Sequence, residues 1–233
     1  YARFRAVMER QRVDWSDWSA RLRAGRFTAK DFDPAHERFH LYAQFLFEQQ
    51  FEALAAEMHE RRGLVYLDLP VGVRRDGFDV FRYPDLFATG ASVGAPPDPF
   101  FTSGQDWGFP PVIPDAQRAQ RYEYLIASLR NHMRFSDQLR LDHVMAFYRL
   151  FVIPDGLDTG DGVYVHYPHD EAFAILSLES HRNRCRLVGE NLGTVPPAVN
   201  TALAKHDMAP LYVAQYEVQP KPSAALRPVT PRS

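Results

Sequence analysis

Apolar residues recur at helical spacing in four stretches of the chain, and each stretch is followed by a short apolar run of strand length. The first begins at Asp33, a residue suited to cap a helix, with Pro34 fitting the first turn. Phe39, Tyr42, Ala43, Leu46 and Phe47 repeat along it, and Gly63 stops it. Residues 64–69 then read as a strand. The same order is expected at 116–135, where Asp115 caps and Tyr122, Ile126, Leu129 and Met133 share a face, leading into a strand at 138–141. It recurs as a helix over 171–184 with a strand over 186–189, and as a helix over 197–206 with a strand over 211–216. Helices regularly followed by short buried strands are parallel β/α units, and four in succession fit a barrel better than a two-sided open sheet. The aromatics Phe45, Phe47 and Phe51 are expected in the core.

Between the first strand and the second helix lie about 45 residues without helical periodicity, and loops beyond about 12–15 residues in a compact domain are usually functional or disordered. Phe100, Phe101, Trp107 and Phe109 argue against disorder, since each needs burial or a ligand. Two readings stand: a packed structural excursion, or a binding loop over a barrel mouth.

Composition narrows the partners. The chain's 233 residues allow one large domain or two small ones. With 27 basic against 29 acidic residues and no basic tract, nothing suits a phosphate backbone, so nucleic acid is not expected as a partner. No apolar run approaches the roughly 18 residues of a membrane span, and no signal-peptide pattern is present. One cysteine, Cys185, makes no internal disulfide; it fits a reducing cytoplasm and reads as a small core residue. His166 and His169 lack the further ligands that zinc needs, and no glycine-rich phosphate loop occurs. No cofactor and no metal are implied.

In a β/α barrel the reacting groups sit at the C-terminal ends of the strands. Asp142 and Glu190 each close a predicted strand. Glycosidic chemistry needs such a pair, one carboxylate ionised to attack the anomeric carbon and one carrying a proton for the leaving oxygen. Arg140, two positions before Asp142 on the same strand face, is placed to keep that aspartate ionised. Glu190 follows an apolar approach, Leu187-Val-Gly, and is expected to be desolvated enough to hold a proton. On these grounds alone, each carboxylate serves equally well as a salt-bridged structural residue.

The runs Arg140-Leu-Asp-His-Val-Met, Tyr164-Val-His-Tyr-Pro168, Leu178-Glu-Ser-His-Arg-Asn-Arg-Cys185 and Gly189-Glu-Asn-Leu-Gly-Thr-Val-Pro196 together resemble bacterial 4-α-glucanotransferases, the amylomaltases or disproportionating enzymes of the α-amylase clan. The stretch from Val93-Gly-Ala-Pro-Pro-Asp98 to Gly104-Gln-Asp-Trp-Gly108 resembles that family's acceptor-side loop. The resemblance runs from about residue 39 to 216. It implies a (β/α)8 TIM barrel, incomplete in this chain, and a retaining transferase that moves α-1,4-glucan segments between maltooligosaccharides. By it Asp142 is the nucleophile and Glu190 the general acid/base. Arg140 and His143 contact the glucose at the cleavage site, Trp107 offers a flat face to a sugar ring, and Gln105 and Asp98 bind hydroxyls. Asp76 resembles a further sugar-contacting carboxylate. An α-glucan hydrolase of the same clan and an inactive carbohydrate-binding remnant are the alternatives.

Two departures from the family's pattern stand out. Asn191 follows Glu190 where the family has Asp, which removes a like charge and should lower the pKa of the acid/base. The clan's third carboxylate, in a Thr-His-Asp motif on a later strand, does not occur in the 233 residues. Together with the missing initiator Met, this makes the chain read as the middle of a longer protein. Residues 1–38 are unassigned, 39–217 form the central part of the catalytic barrel, and 218–233 link towards missing strands. About four of eight barrel units cannot close a barrel, so this stretch alone is expected to be inactive.

Overall fold

The computed structural model describes residues 1–217. The chain opens with helices α1 (Ala2–Gln11), α2 (Ala20–Arg23) and α3 (Pro34–Glu60), followed by strand β1 (Tyr66–Leu69). Then come α4 (Phe78–Arg82), β2 (Ala91–Ala95), β3 (Gln105–Asp106), α5 (Pro114–Ala119), α6 (Glu123–Met133) and β4 (Gln138–Leu141). The remainder is β5 (Arg149–Pro154), β6 (Val163–His166), α7 (His169–Asn183), β7 (Arg186–Gly189), α8 (Pro197–Lys205), β8 (Ala209–Pro210) and α9 (Ala214–Glu217).

The molecule is α/β, and its strands fall into two sheets. One is parallel, in the order β1-β4-β7-β8. In β1 and β4 apolar and polar positions alternate, Tyr66-Leu-Asp-Leu69 and Gln138-Leu-Arg-Leu141, so that one face can be buried against helices. Leu139 and Leu141 of β4 and Leu187 of β7 pack on Leu125, Leu129 and Met133 of α6, Phe173 and Leu176 of α7, and Val199 and Leu203 of α8. Cys185 is fully buried beside these residues, as expected of a core thiol. The second sheet is antiparallel, in the order β3-β2-β5-β6. It turns the 45-residue stretch into a packed excursion, held to the end of β1 by Arg75, whose guanidinium pairs with Asp155 and donates to the Ala91 carbonyl.

The signposted first helix forms as expected, with the Asp33 carboxylate accepting the Ala35 N–H at 2.8 Å. Its aromatics do not behave as expected. Phe45 and Phe47 are 58% and 60% exposed, and Phe51 is only half-buried. The helix buries only His40 and Ala55, and its main partner is α1; Phe45 and Phe47, two positions apart, lie on opposite sides of it, and both are exposed. The predicted helix 116–135 is two helices. Arg121 and Tyr122 both adopt left-handed φ, 52° and 58°, which breaks the ladder, and Asp115 lies inside the first turn of α5 rather than capping it. The last strand is residues 209–210 instead of 211–216, and residues 214–217 are helical. Residues 218–233, read as a linker, lie outside the described residues.

Helices α6 and α7 are joined by a buried carboxylate. Glu179 is 1% exposed and accepts from Arg130 Nε at 2.7 Å and Nη2 at 2.8 Å, and from Arg182 at 3.0 Å. Burial raises its pKa, and the two guanidinium groups more than reverse that. Glu179→Ala removes the acceptor that both solvent-facing arginines share and leaves a gap where the buried carboxylate sat, and is expected to lower the urea midpoint of unfolding. A urea midpoint equal to that of wild type would show the network to be idle.

Candidate active site

The strand period places the candidate groups on the face opposite the helices. Pairing aligns Asp68 of β1, Arg140 of β4 and Val188 of β7 across three strands. Asp142 stands two positions beyond Arg140, and Glu190 two beyond Val188, so both carboxylates continue that face past the strand ends.

Arg140 organises them. Its Nη1 donates to Asp68 Oδ1 at 2.6 Å, while Nη2 reaches both Asp142 Oδ1 and Glu190 Oε1 at 2.8 Å. One nitrogen therefore bridges the two carboxylates, and their nearest oxygens lie within twice that distance of each other. Two carboxylates thus converge on one cation at the ends of adjacent strands. The second oxygen of each carboxylate is also engaged. Asp142 Oδ2 accepts the Val71 N–H at 3.3 Å, and Glu190 Oε2 accepts the His143 N–H at 2.8 Å. His143 aims that N–H by adopting φ 45°, a left-handed conformation unusual for a residue with a side chain.

The electrostatics correct one expectation. Burial pushes the Glu190 carboxyl up, as its apolar approach suggests, but the His143 N–H and the Arg140 guanidinium outweigh it, and its pKa lies below the ordinary value. The His143 N–H and Arg140 thus favour the ionised form of Glu190 against its burial. Burial lowers the pKa of the His143 imidazole, against the opposing charges of Glu190 and Asp142.

Trp107 meets His143 edge-on, with centroids 5.2 Å apart, and stacks on Phe109. Its indole N–H donates to Gln105 Oε1 at 3.1 Å. Arg140, Asp142, His143, Glu190, Trp107 and Gln105 thus form one connected group. Asp98 and Asp76 do not join it by contact among the described residues. Asp98 Oδ1 accepts the N–H groups of Phe100 and Phe101, locking a turn whose tip leaves Phe100 92% exposed. Asp76 is held by a two-pronged bond to Arg74. The Asn191 amide faces away from Glu190: it accepts the Leu211 N–H at 3.2 Å and donates to Asn200 Oδ1 at 2.9 Å. The group also includes Asp68, which sequence reading passed over. The alternation Tyr66-Leu67-Asp68-Leu69 was the available signal, since it sets an ionisable residue on the face opposite the helices.

The strap that carries Val71 tolerates little change. A Cβ on Gly72 would fall 2.1 Å from Phe109 Cδ2. Gly72→Ala is expected to cost about 1–3 kcal/mol of stability through overpacking and to displace the Val71 N–H from Asp142. Thermal denaturation of the variant checks the first effect, and an unchanged midpoint would show that Phe109 yields freely.

Among the described residues no group of three or more His, Cys, Asp or Glu is placed to hold a metal ion, and no helix is long and apolar enough to cross a membrane. Comparison with known proteins bears directly on this geometry. The family described as 4-alpha-glucanotransferase matches residues 1–232. A 4-alpha-glucanotransferase of Haemophilus influenzae is 39% identical over 210 residues, covering 88% of this chain and 29% of that protein. One of Mycobacterium bovis is 36% identical over 212 residues, covering 87% of this chain and 29% of that protein. The crystal structure of amylomaltase from Corynebacterium glutamicum superposes with a TM-score of 0.76 at 31% identity, over 94% of this chain and 32% of that one. Amylomaltase from Streptococcus agalactiae in complex with acarbose gives 0.82 at 22% identity, over 93% and 46%. The chain therefore spans less than a third of the length of these curated relatives.

Proposed function

Because the chain belongs to the 4-alpha-glucanotransferase family, we propose that the protein carrying it transfers α-1,4-glucan segments between maltooligosaccharides by double displacement. The observation that carries this reading is the bridge of Arg140 Nη2 between Asp142 and Glu190, at 2.8 Å to each. In this reading residues 39–217 are the central part of a (β/α)8 barrel, residues 1–38 pack before it, and residues 218–233 link onward.

The chemistry runs as follows. Asp142 attacks C1 of the glucose at the cleavage site and displaces the 4-oxygen of the departing chain, which takes its proton from Glu190. The glucosyl group is then held on Asp142. The 4-hydroxyl of an acceptor glucan gives its proton to Glu190, and its oxygen displaces Asp142 from C1, restoring both carboxyls. Burial favours the protonated Glu190 that the first step needs, and a bound glucan, by excluding water, adds to that effect. His143 and Arg140 contact the reacting glucose, while Trp107, held by Gln105, offers a face to the neighbouring ring. By the family resemblance Asp98 and Asp76 would contact the glucan further from the reacting ring, since neither touches Asp142 or Glu190. Asp68 acts through Arg140 as a positioning residue. No cofactor enters these steps, and the reading places the enzyme in the cytoplasm.

Incubating the full-length protein with maltotriose and an end-labelled acceptor tests it. A ladder of longer labelled chains is expected. Glucose and maltose released without extension would turn the reading to a hydrolase, and a folded protein without turnover would turn it to a binding remnant.

A further inference from the structure

Behind the strap of residues 70–73 lies a cavity of about 530 Å³, and none of the side chains of Arg140, His143, Glu190, Gln105 and Trp107 lines it. Its size falls within the roughly 300–1,000 Å³ of sites that enclose small organic molecules. Phe87, Phe109, Phe147 and Tyr167 are among its walls, and Val71 and Asp142 border it. Among the described residues, those that line it all fall between Leu69 and Ala172. An α-glucan presents hydroxyls on every ring and needs a hydrogen-bonding partner for most of them; the walls are mainly apolar, and of their polar groups Tyr122, Tyr167, His132 and Asp142 are already engaged by Glu171, the Val112 carbonyl, the Ser128 carbonyl and Arg140. The side-chain amides of Gln117 and Asn131 also line the cavity, and neither is engaged among the described residues. That combination selects a flat apolar body carrying one or two hydrogen-bonding groups.

We propose that this cavity, which adjoins the glucan cleft at Asp142, is a second ligand site for an uncharged aromatic molecule, and that its occupant acts on the reaction through the strap. The route is short. Phe109 lines the cavity and presses on Gly72, and the N–H of the adjoining Val71 reaches Asp142 at 3.3 Å. That distance is beyond the usual 2.9–3.0 Å of such bonds, so a small shift of the strap changes the bond to the nucleophile. The coupling, though not the binding, rests on the role of Asp142 proposed above.

The probe is 6-propionyl-2-dimethylaminonaphthalene, an uncharged aromatic ketone whose emission shifts to the blue in apolar surroundings, titrated into the full-length protein. Saturable blue-shifted binding is expected, unchanged by excess maltoheptaose and weakened at least about tenfold by Ala127→Trp, which fills the cavity from α6. Gln117→Leu, a milder change, should weaken it by about fivefold through loss of one hydrogen bond. Saturating probe should lower kcat for maltotriose with KM unchanged. Displacement by maltoheptaose, equal binding by both variants, or absence of saturable binding overturns the site. Binding that leaves kcat unchanged overturns the coupling. A protein that binds the probe but never extends glucans counts against the glucanotransferase reading alone.

Discussion

Asp142→Asn in the full-length protein is expected to lower kcat on maltotriose by on the order of 10⁴-fold or more, the scale seen when a covalent mechanism loses its nucleophile. An amide is nearly isosteric with the carboxylate and can still accept the Val71 N–H, so folding and glucan binding should persist. It cannot form the glucosyl ester. Glu190→Gln should differ in a diagnostic way. With maltotriose it loses most activity, because the departing 4-oxygen is a poor leaving group without a proton. With α-glucosyl fluoride, whose leaving group needs little protonation, the first displacement survives and the glucosyl group accumulates on Asp142 until an acceptor arrives. Intact-mass measurement detects that adduct. Near-normal turnover by Asp142→Asn, or equal loss of both donors in Glu190→Gln, would remove the assignment of these roles.

Much of this arrangement is legible in the sequence. Helix α3 announced itself through Asp33, Pro34 and Gly63 because caps and breakers are local signals. The strands β4 and β7 were readable to the residue because short apolar runs bounded by polar positions leave few alternatives. What could not be read depended on contacts distant in sequence. The break at Arg121 and Tyr122 has no Gly or Pro to mark it, since tertiary packing imposes its left-handed φ values. The aromatics of α3 follow a core-like period, but periodicity says nothing about whether a partner lies within the same chain. The strands of the second sheet sit among Pro and Gly and pair across the chain, β2 with β5, so no local pattern reveals them. Glu190 shows the same limit in electrostatics. Its apolar neighbours are visible in sequence, whereas the guanidinium that outweighs them arrives from β4 by register.

That register makes Arg140 the residue whose replacement should be most informative about pH. Arg140→Met keeps the stem and removes the cation, leaving Asp68, Asp142 and Glu190 facing one another without a counter-charge. A loss of about 10²–10³-fold in kcat is expected, the scale for removing one preorganised electrostatic group. The pH dependence carries the sharper test. Glu190 must hold a proton to act as the acid, so kcat/KM falls as pH rises through its free-enzyme pKa. In the native geometry the His143 N–H and Arg140 hold that pKa below its ordinary value against the opposing effect of burial. Removing Arg140 withdraws two of the lowering influences, its hydrogen bond and its charge, and leaves burial, which favours the protonated form, less strongly opposed. The alkaline limb of the variant's profile must then move to higher pH even as its height falls. Arg140→Lys restores a cation but not the two-nitrogen fork that serves three carboxylates, so its limb should return towards the wild-type position while its rate stays depressed. Asp68→Asn leaves both Arg140 and Glu190 in place and loosens only the anchor on Nη1. Its rate should fall less than that of Arg140→Met, with the limb displaced little. An alkaline limb unmoved in Arg140→Met would mean that Glu190 does not supply the proton, whatever happens to the rate.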